Sequence, residues 1–244
     1  SSGIKSVSIV GMAKNVGKTV VLNHLVKKAA EQGIRLGLTS IGRDGEQSDA
    51  VFGIPKPRIM VYGGTVVATA RDSVRNSTAK LKMIGSTDFS TAMGEVMICQ
   101  AETAGFVELA GPTMTKQQQA VVGMLAGHGA DLVIIDGALD RVSSATPSLA
   151  DATILATGAA LGPTISDVLN KTLDRMEHLQ LPLAGGTSEL ALYRQLLETK
   201  VSAMITRQGD VIVLESAGSL TAGEAIIEAF TPEVRTVVLA GAAG

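Results

Sequence analysis

Aromatic side chains make up only 2% of the 244 residues, with no Trp. The core must therefore be aliphatic, and stacking platforms for nucleic-acid bases are disfavoured. A single cysteine, Cys99, excludes a disulfide framework or a thiolate metal cluster built within the chain, and reads as a small buried apolar side chain. Three scattered histidines, His24, His128 and His178, are too few for a histidine metal site and read as surface or helix-end residues. The 21 basic and 23 acidic residues leave a formal charge of −2. No basic run or stripe marks a nucleic-acid footprint. The longest charge-free apolar stretch, 152–166, is too short and too rich in Gly, Thr and Pro to span a bilayer. No charged-then-apolar leader pattern is read, so the expectation is a cytoplasmic protein. The chain opens on Ser1-Ser2-Gly3 and closes with a strand entering Gly241-Ala242-Ala243-Gly244, which raises the expectation that it continues past Gly244.

What the chain does have is aliphatic residues and glycine. Hydrophobic residues are 45% and charged residues 18%, which excludes a disordered, solvating chain. Glycine, at 27 residues, is about 11% against a usual 7% or so. β-Branched runs alternate with helical patterns, so the expected fold is α/β, three layers with a mainly parallel central sheet flanked by helices. Strands are expected over 5–10, 34–40, 59–62, 66–69, 95–100, 106–109, 132–135 and 153–156. Helices are expected after Gly17, over 71–84, over 115–125 and after Gly162-Pro163-Thr164. The segment 181–186 reads as a linker. Beyond it, a helix from Glu189, strands near 201–205 and 211–214, and a helix opened by Thr221-Ala222-Gly223-Glu224 repeat the alternation. The expected division is a core over 1–182 and a C-terminal α/β extension over 183–244.

The most informative segment is Gly11-Met12-Ala13-Lys14-Asn15-Val16-Gly17-Lys18-Thr19, between the first strand and first helix. Backbone N–H groups in a glycine turn, completed by a helix N-terminus, form an anion cradle. In such a loop Lys18 reaches terminal phosphates, the Thr19 hydroxyl binds Mg²⁺, and Gly17 lets the main chain approach closely. Gly11, Lys14, Asn15, Val16, Gly17, Lys18, Thr19 and Val20 are thus the candidate nucleotide-binding residues. Five residues separate Gly11 from Gly17, where the usual phosphate loop has four.

That longer loop resembles the dethiobiotin synthetase and cobyric acid synthase branch of the P-loop NTPases (the SIMIBI class), and Asn15-Val16-Gly17-Lys18 is most similar to the cobyric acid synthase form. Related partitioning ATPases carry a signature lysine five residues before the loop lysine. Ala13 stands there, and Lys14, one place away, reads as a solvated loop residue. Leu132-Val133-Ile134-Ile135-Asp136-Gly137 resembles the strand of this superfamily that delivers a carboxylate opposite the phosphate loop, which implies that Asp136 holds Mg²⁺. The segment 154–162 resembles a later strand and glycine turn of dethiobiotin synthetase. After the second strand, Thr39-Ser40-Ile41-Gly42-Arg43-Asp44-Gly45-Glu46 implies Asp44 as a second carboxylate near the metal or substrate and Arg43 as a phosphate or substrate contact; a plain Asp44-Gly45 turn is the other reading. Asp140 and Arg141 read either as a nucleotide sensor or as a local ion pair. Gly111-Pro112-Thr113 and Lys116 could face a second ligand.

Two functions follow from the resemblance. The three segments 11–19, 39–46 and 136–141 look like those of an accessory ATPase of B12-dependent aminomutases, which implies a reactivase subunit that hydrolyses ATP slowly while switching contacts with a client enzyme. Dethiobiotin and cobyric acid synthases imply instead an ATP-dependent ligase that activates a carboxylate or carbamate on a small substrate. Asp136-Gly137-Ala138-Leu139-Asp140-Arg141 departs from the Glu-Gly-Ala-Gly-Gly stretch of dethiobiotin synthetase, and Cys99 lacks a glutaminase partner. Under either reading Lys18, Asp44 and Asp136 are the catalytic candidates, Thr19, Asp44 and Asp136 the Mg²⁺ ligands, and ATP with Mg²⁺ the cofactors, with a possible homodimer. ATP is expected over GTP, since Asn170-Lys171-Thr172-Leu173-Asp174 does not have the spacing of a guanine-reading run.

Overall fold

The β-branched runs of the sequence assemble mainly into one sheet. In the computed structural model of the chain, residues 3–42, 58–137, 149–180, 187–199, 201–214 and 222–239 are described. Two compact units are present, Ser1–Leu179 and Gln180–Gly244, against an expected division between 182 and 183. The first unit begins β1 (Ser6–Gly11), α1 (Lys18–Glu31), β2 (Leu36–Ser40), β3 (Ile59–Val61), β4 (Val66–Ala70) and α2 (Arg71–Arg75). It continues β5 (Leu81–Thr91), β6 (Gly94–Ala101), β7 (Gly105–Val107) and α3 (Thr115–Gly127). It ends β8 (Leu132–Asp136), β9 (Ala152–Ala156), a single 3-10 turn at Ala159–Leu161 and α4 (Ile165–Leu179).

Seven of these strands form a sheet in the order β5-β6-β4-β2-β8-β1-β9. The five from β4 to β9 are parallel, and β6 and β5 add an antiparallel edge. Successive residues of a strand point to opposite faces, so a sheet covered on both sides needs unbroken apolar runs. In β8, Ile134 packs with Leu22, Val26 and Ala29 of α1, while Val133 and Ile135 pack with Val121 and Leu125 of α3. The four-residue aliphatic run of β8 is thus divided between two cores. A small antiparallel pair, β3 with β7, joins the α1 side through Val61 and Val107.

One expected element is wrong. The helix over 71–84 stops at Arg75, and Leu81–Thr91 is the long edge strand β5. The Ser77 hydroxyl donates to Val74 O at 2.8 Å, and the Thr78 N–H donates to Phe106 O at 2.9 Å, which diverts the main chain towards β7. β5 escapes a period-two reading because its register with β6 slips between Met83 and Gly85 and again between Ser86 and Ser90, with Asp88 at φ 56°. Bulges of this kind break strict alternation at sheet edges.

The second unit contains α5 (Thr187–Glu198), β10 (Ala203–Thr206), β11 (Val211–Val213), α6 (Ala222–Ala229) and β12 (Val234–Val238). Its three strands are antiparallel in the order β11-β10-β12, and Leu196, Ala203, Ile205 and Val238 form its core. No helix among the described residues is long and apolar enough to cross a membrane.

Strand order fixes where the first unit can present chemistry. The chain leaves β1 towards β2 on one side, but leaves β8 in the opposite direction, across β1, to β9. A reversal of this sort opens a crevice at the carboxyl ends of the strands. Gly11, Ser40, Asp136 and Ala156 all end at that edge.

At the other end of the sheet, Asp151 accepts the backbone N–H groups of Lys5 and Ser6 at 2.8 and 2.9 Å and the Ser6 hydroxyl at 3.1 Å. These bonds, first that from Lys5, hold its carboxyl below the usual range. A depressed folded-state pKa stabilises above the unfolded value and loses its effect as pH falls through the folded value. Asp151→Asn should therefore cost about 1 kcal/mol in urea unfolding near neutral pH, the loss being modest because water screens the site. The gap between wild type and variant should close on acidification below pH 4 or so.

Candidate nucleotide-binding site

The loop after β1 is shaped by two residues in the left-handed region, Asn15 at φ 63° and Gly17 at φ 87°. Gly17 is the N-cap of α1, whose N-terminus has neither a side-chain cap nor an acidic residue in its first turn. An α-helix that starts this way offers its first N–H groups and its positive dipole end to an anion. Lys14 and Asn15 are exposed, Val16 is buried, and Thr19 is half-buried. Val20 is 68% exposed despite its apolar side chain. The loop is braced from β9, where the Met12 N–H donates to Ala156 O at 3.0 Å. Gly158 lies alongside the loop, where a Cβ would be in ordinary van der Waals contact with Val16 Cα at 3.5 Å.

Lys18 opens α1, yet its side chain turns back over the end of β8. Its Nζ lies 3.1 Å from Asp136 Oδ1 and donates to Gly137 O at 2.5 Å. Lys18 is 8% exposed and Asp136 4%. The loop lysine and the strand carboxylate, 118 positions apart in the chain, thus form one buried ion pair. Gly137 is required for this arrangement. Its N–H donates to Ile9 O at 2.9 Å, and a Cβ would sit 2.8 Å from that oxygen and 3.2 Å from Val10 Cγ2. Only glycine lets the chain cross β1 this closely while turning its carbonyl to Lys18.

Beside the pair lies the end of β2. Ser40 stands opposite Asp136 in the parallel register, and the Ile41 N–H donates to Asp136 O at 3.1 Å. Gly42 adopts φ 71°. The segment expected to face a second ligand divides here: Gly111 and Pro112 are buried against β2, whereas Thr113 and Lys116 are exposed. Ser40 falls in the 39–46 segment but was given no role of its own by sequence, and Gln118 carries no motif; the available signal was a polar residue, Gln118, in line with the apolar Val121 and Leu125 of α3.

Arg43, Asp44, Asp140 and Arg141 lie outside the described residues. Asn170–Asp174 falls inside α4, whose start is secured by reciprocal bonds between Thr164 and Asp167. There the Lys171 ammonium donates to Leu161 O at 2.5 Å. Cys99 is fully buried in β6, and burial pushes its thiol up to about 11, too high for a nucleophile at neutral pH. His24 and His128 are exposed, His128 as the C-cap of α3. Among the described residues no group of three or more His, Cys, Asp or Glu side chains is placed to hold a metal.

No protein-family model matches the chain, and neither does any curated protein.

Removing one partner of a buried ion pair strands the other charge. Lys18→Met should lower unfolding stability by about 3 kcal/mol. Asp136→Asn in the same background should recover most of that loss, a coupling readable from a double-mutant cycle in urea.

Proposed function

We propose that the chain binds ATP with Mg²⁺ through the β1–α1 loop and hydrolyses it slowly as a nucleotide-driven accessory protein. One observation carries the reading: Lys18, at the mouth of an uncapped helix, is joined to Asp136 at the crevice of the sheet. The residue types fit the group. Gly17 permits close main-chain approach, Lys18 supplies a cation for phosphate, and Thr19 and Asp136 are hard oxygen donors of the kind Mg²⁺ prefers. When bound, Mg²⁺ would neutralise and orient phosphate oxygens.

The chain's own residues then have definite tasks. Lys18 is a buried charge already compensated by Asp136, so engaging a phosphate means exchanging one anionic partner for another rather than desolvating a free ammonium. That exchange turns the Asp136 carboxylate from a partner of Lys18 into an available metal ligand. Gly137, fixed to Ile9, keeps its carbonyl in place as a second acceptor for the Lys18 ammonium throughout. The scarcity of aromatic residues leaves little surface for base stacking, so phosphate contacts supply most of the affinity.

The resemblance of the 11–19, 39–46 and 136–141 segments to an accessory ATPase supports a client enzyme, with a B12-dependent aminomutase as the class it implies. Lys18→Ala should abolish ATP binding by titration calorimetry; retained tight binding would sink the phosphate-loop assignment. Asp136→Asn should reduce Mg²⁺-dependent turnover at least about tenfold while changing nucleotide affinity less. Basal turnover should be slow and climb with the client protein. Turnover that instead rises with a small carboxylate or amine alone would favour the ligase reading.

A further inference from the structure

The sheet is incompletely paired between β2 and β4. Their register covers only Gly37 with Val66 and Leu38 with Val67, leaving the end of β2 without a strand neighbour on that side. The segment 108–112 takes the neighbour's place. Towards β4, Thr69 Oγ1 donates to Glu108 O and accepts the Ala110 N–H, both at 2.9 Å. Towards β2, the Gly111 N–H reaches Ser40 Oγ at 3.1 Å and Gly42 O at 3.3 Å, and the Gly42 N–H reaches Pro112 O at 3.2 Å.

Gln118 of α3 closes this clasp. It is fully buried, and its Nε2 donates to Ser40 O and to Pro112 O, the latter at 2.7 Å. Both partners are carbonyls, so only the amide nitrogen can face them and the side-chain orientation is determined. Residues 118, 121 and 125 share one face of α3, and Val121 and Leu125 are fully buried core residues. Core filling alone would be served by Leu or Met at 118. The amide instead fixes two main-chain carbonyls that bracket Ile41, whose N–H holds Asp136 O.

We infer that Gln118 is a positioning residue: by clasping Ser40 and Pro112 it fixes the carboxyl end of β2, and through the Ile41–Asp136 bond it fixes the Asp136 carboxylate for a divalent cation. The inference rests on the Mg²⁺-nucleotide reading proposed above. A near-isosteric side chain without donors tests it. Gln118→Met should bind Mg²⁺-free ATP within about twofold of wild type, because the β1–α1 loop is untouched. By calorimetry, the Mg²⁺ affinity of its ATP complex should fall about fivefold or more, and kcat about tenfold with KM for ATP little changed, a loss of the size that small displacements of a reacting group produce. Amide exchange at Ile41 and Gly42 should accelerate while that of α1 does not. Gln118→Leu, which also lacks the donor, should shift Mg²⁺ affinity in the same direction and serves if Gln118→Met does not fold. Ser40→Ala, which removes one of the two acceptors of the Gly111 N–H, should have a smaller effect of the same sign. A folded Gln118→Met protein with wild-type Mg²⁺ affinity and kcat overturns the positioning role, as does a folded Gln118→Leu protein with both unchanged. So does a parallel loss of Mg²⁺-free ATP binding, which would mark a general effect on the fold. Wild-type protein that binds no ATP at all instead overturns the nucleotide reading itself.

Discussion

The ion pair between Lys18 and Asp136 is the constraint around which the first unit is arranged. Two charges held almost out of water are tolerable only if each finds the other with good geometry. That requirement joins the first turn of α1 to the end of β8, and it can be met only because β8 runs beside β1 in the sheet. The glycine at 137 and the left-handed turn at Gly17 are subordinate to it: one lets the carbonyl beneath the ammonium come close, the other sends the helix off at the angle that lets the lysine fold back. Under the nucleotide-binding reading proposed above, such a site would hold its ammonium in readiness. The charge that an incoming anion would need is already desolvated and already compensated.

Much of this was legible in the sequence because it depended on local pattern. Gly17-Lys18-Thr19 after an apolar run, and a carboxylate after Leu132-Val133-Ile134-Ile135, each report a strand end in a few residues, and the family resemblance implied that the two share an edge, though not that Lys18 and Asp136 pair with each other. What local pattern could not convey was pairing across long separations. The clasp at Ser40, Gly111 and Gln118 is built mainly from main-chain groups, which every residue carries, so side-chain identity gave almost no sign of it. The extended edge strand β5 was hidden for a related reason. Its two register slips destroy the alternation that identifies strands, and Arg71–Arg75 does begin as a helix, so the expectation was carried too far along the chain.

The end of β2 shows how a parallel sheet can be opened while a loop and a side chain take over main-chain hydrogen bonds. Where β2 and β4 stop pairing, main-chain groups of Ser40, Gly42, Ala110 and Pro112 find partners in the 108–112 segment, in Thr69 or in Gln118, while Thr39 Oγ1 and Gln118 Oε1 stay buried without one. A crevice needs strands that diverge, and divergence normally orphans backbone groups that the interior does not forgive. Here a single loop and one amide absorb that cost, with both core faces still closed by aliphatic packing.

The position of β1 has a consequence for how the chain is made. Both of its neighbours follow it by a long stretch of chain: Ser6 pairs opposite Val133, and Val7 opposite Ala152. At ribosomal rates of roughly 5–20 residues per second, β1 waits on the order of ten seconds with both edges unsatisfied. A strand that ends up paired on both sides is therefore long exposed to wrong partners during translation. Its sequence, Ser6-Val7-Ser8-Ile9-Val10, interrupts the apolar residues with two serines that end up buried. Those hydroxyls make the nascent segment less adhesive than an all-aliphatic strand would be, at the moment when adhesion is most dangerous.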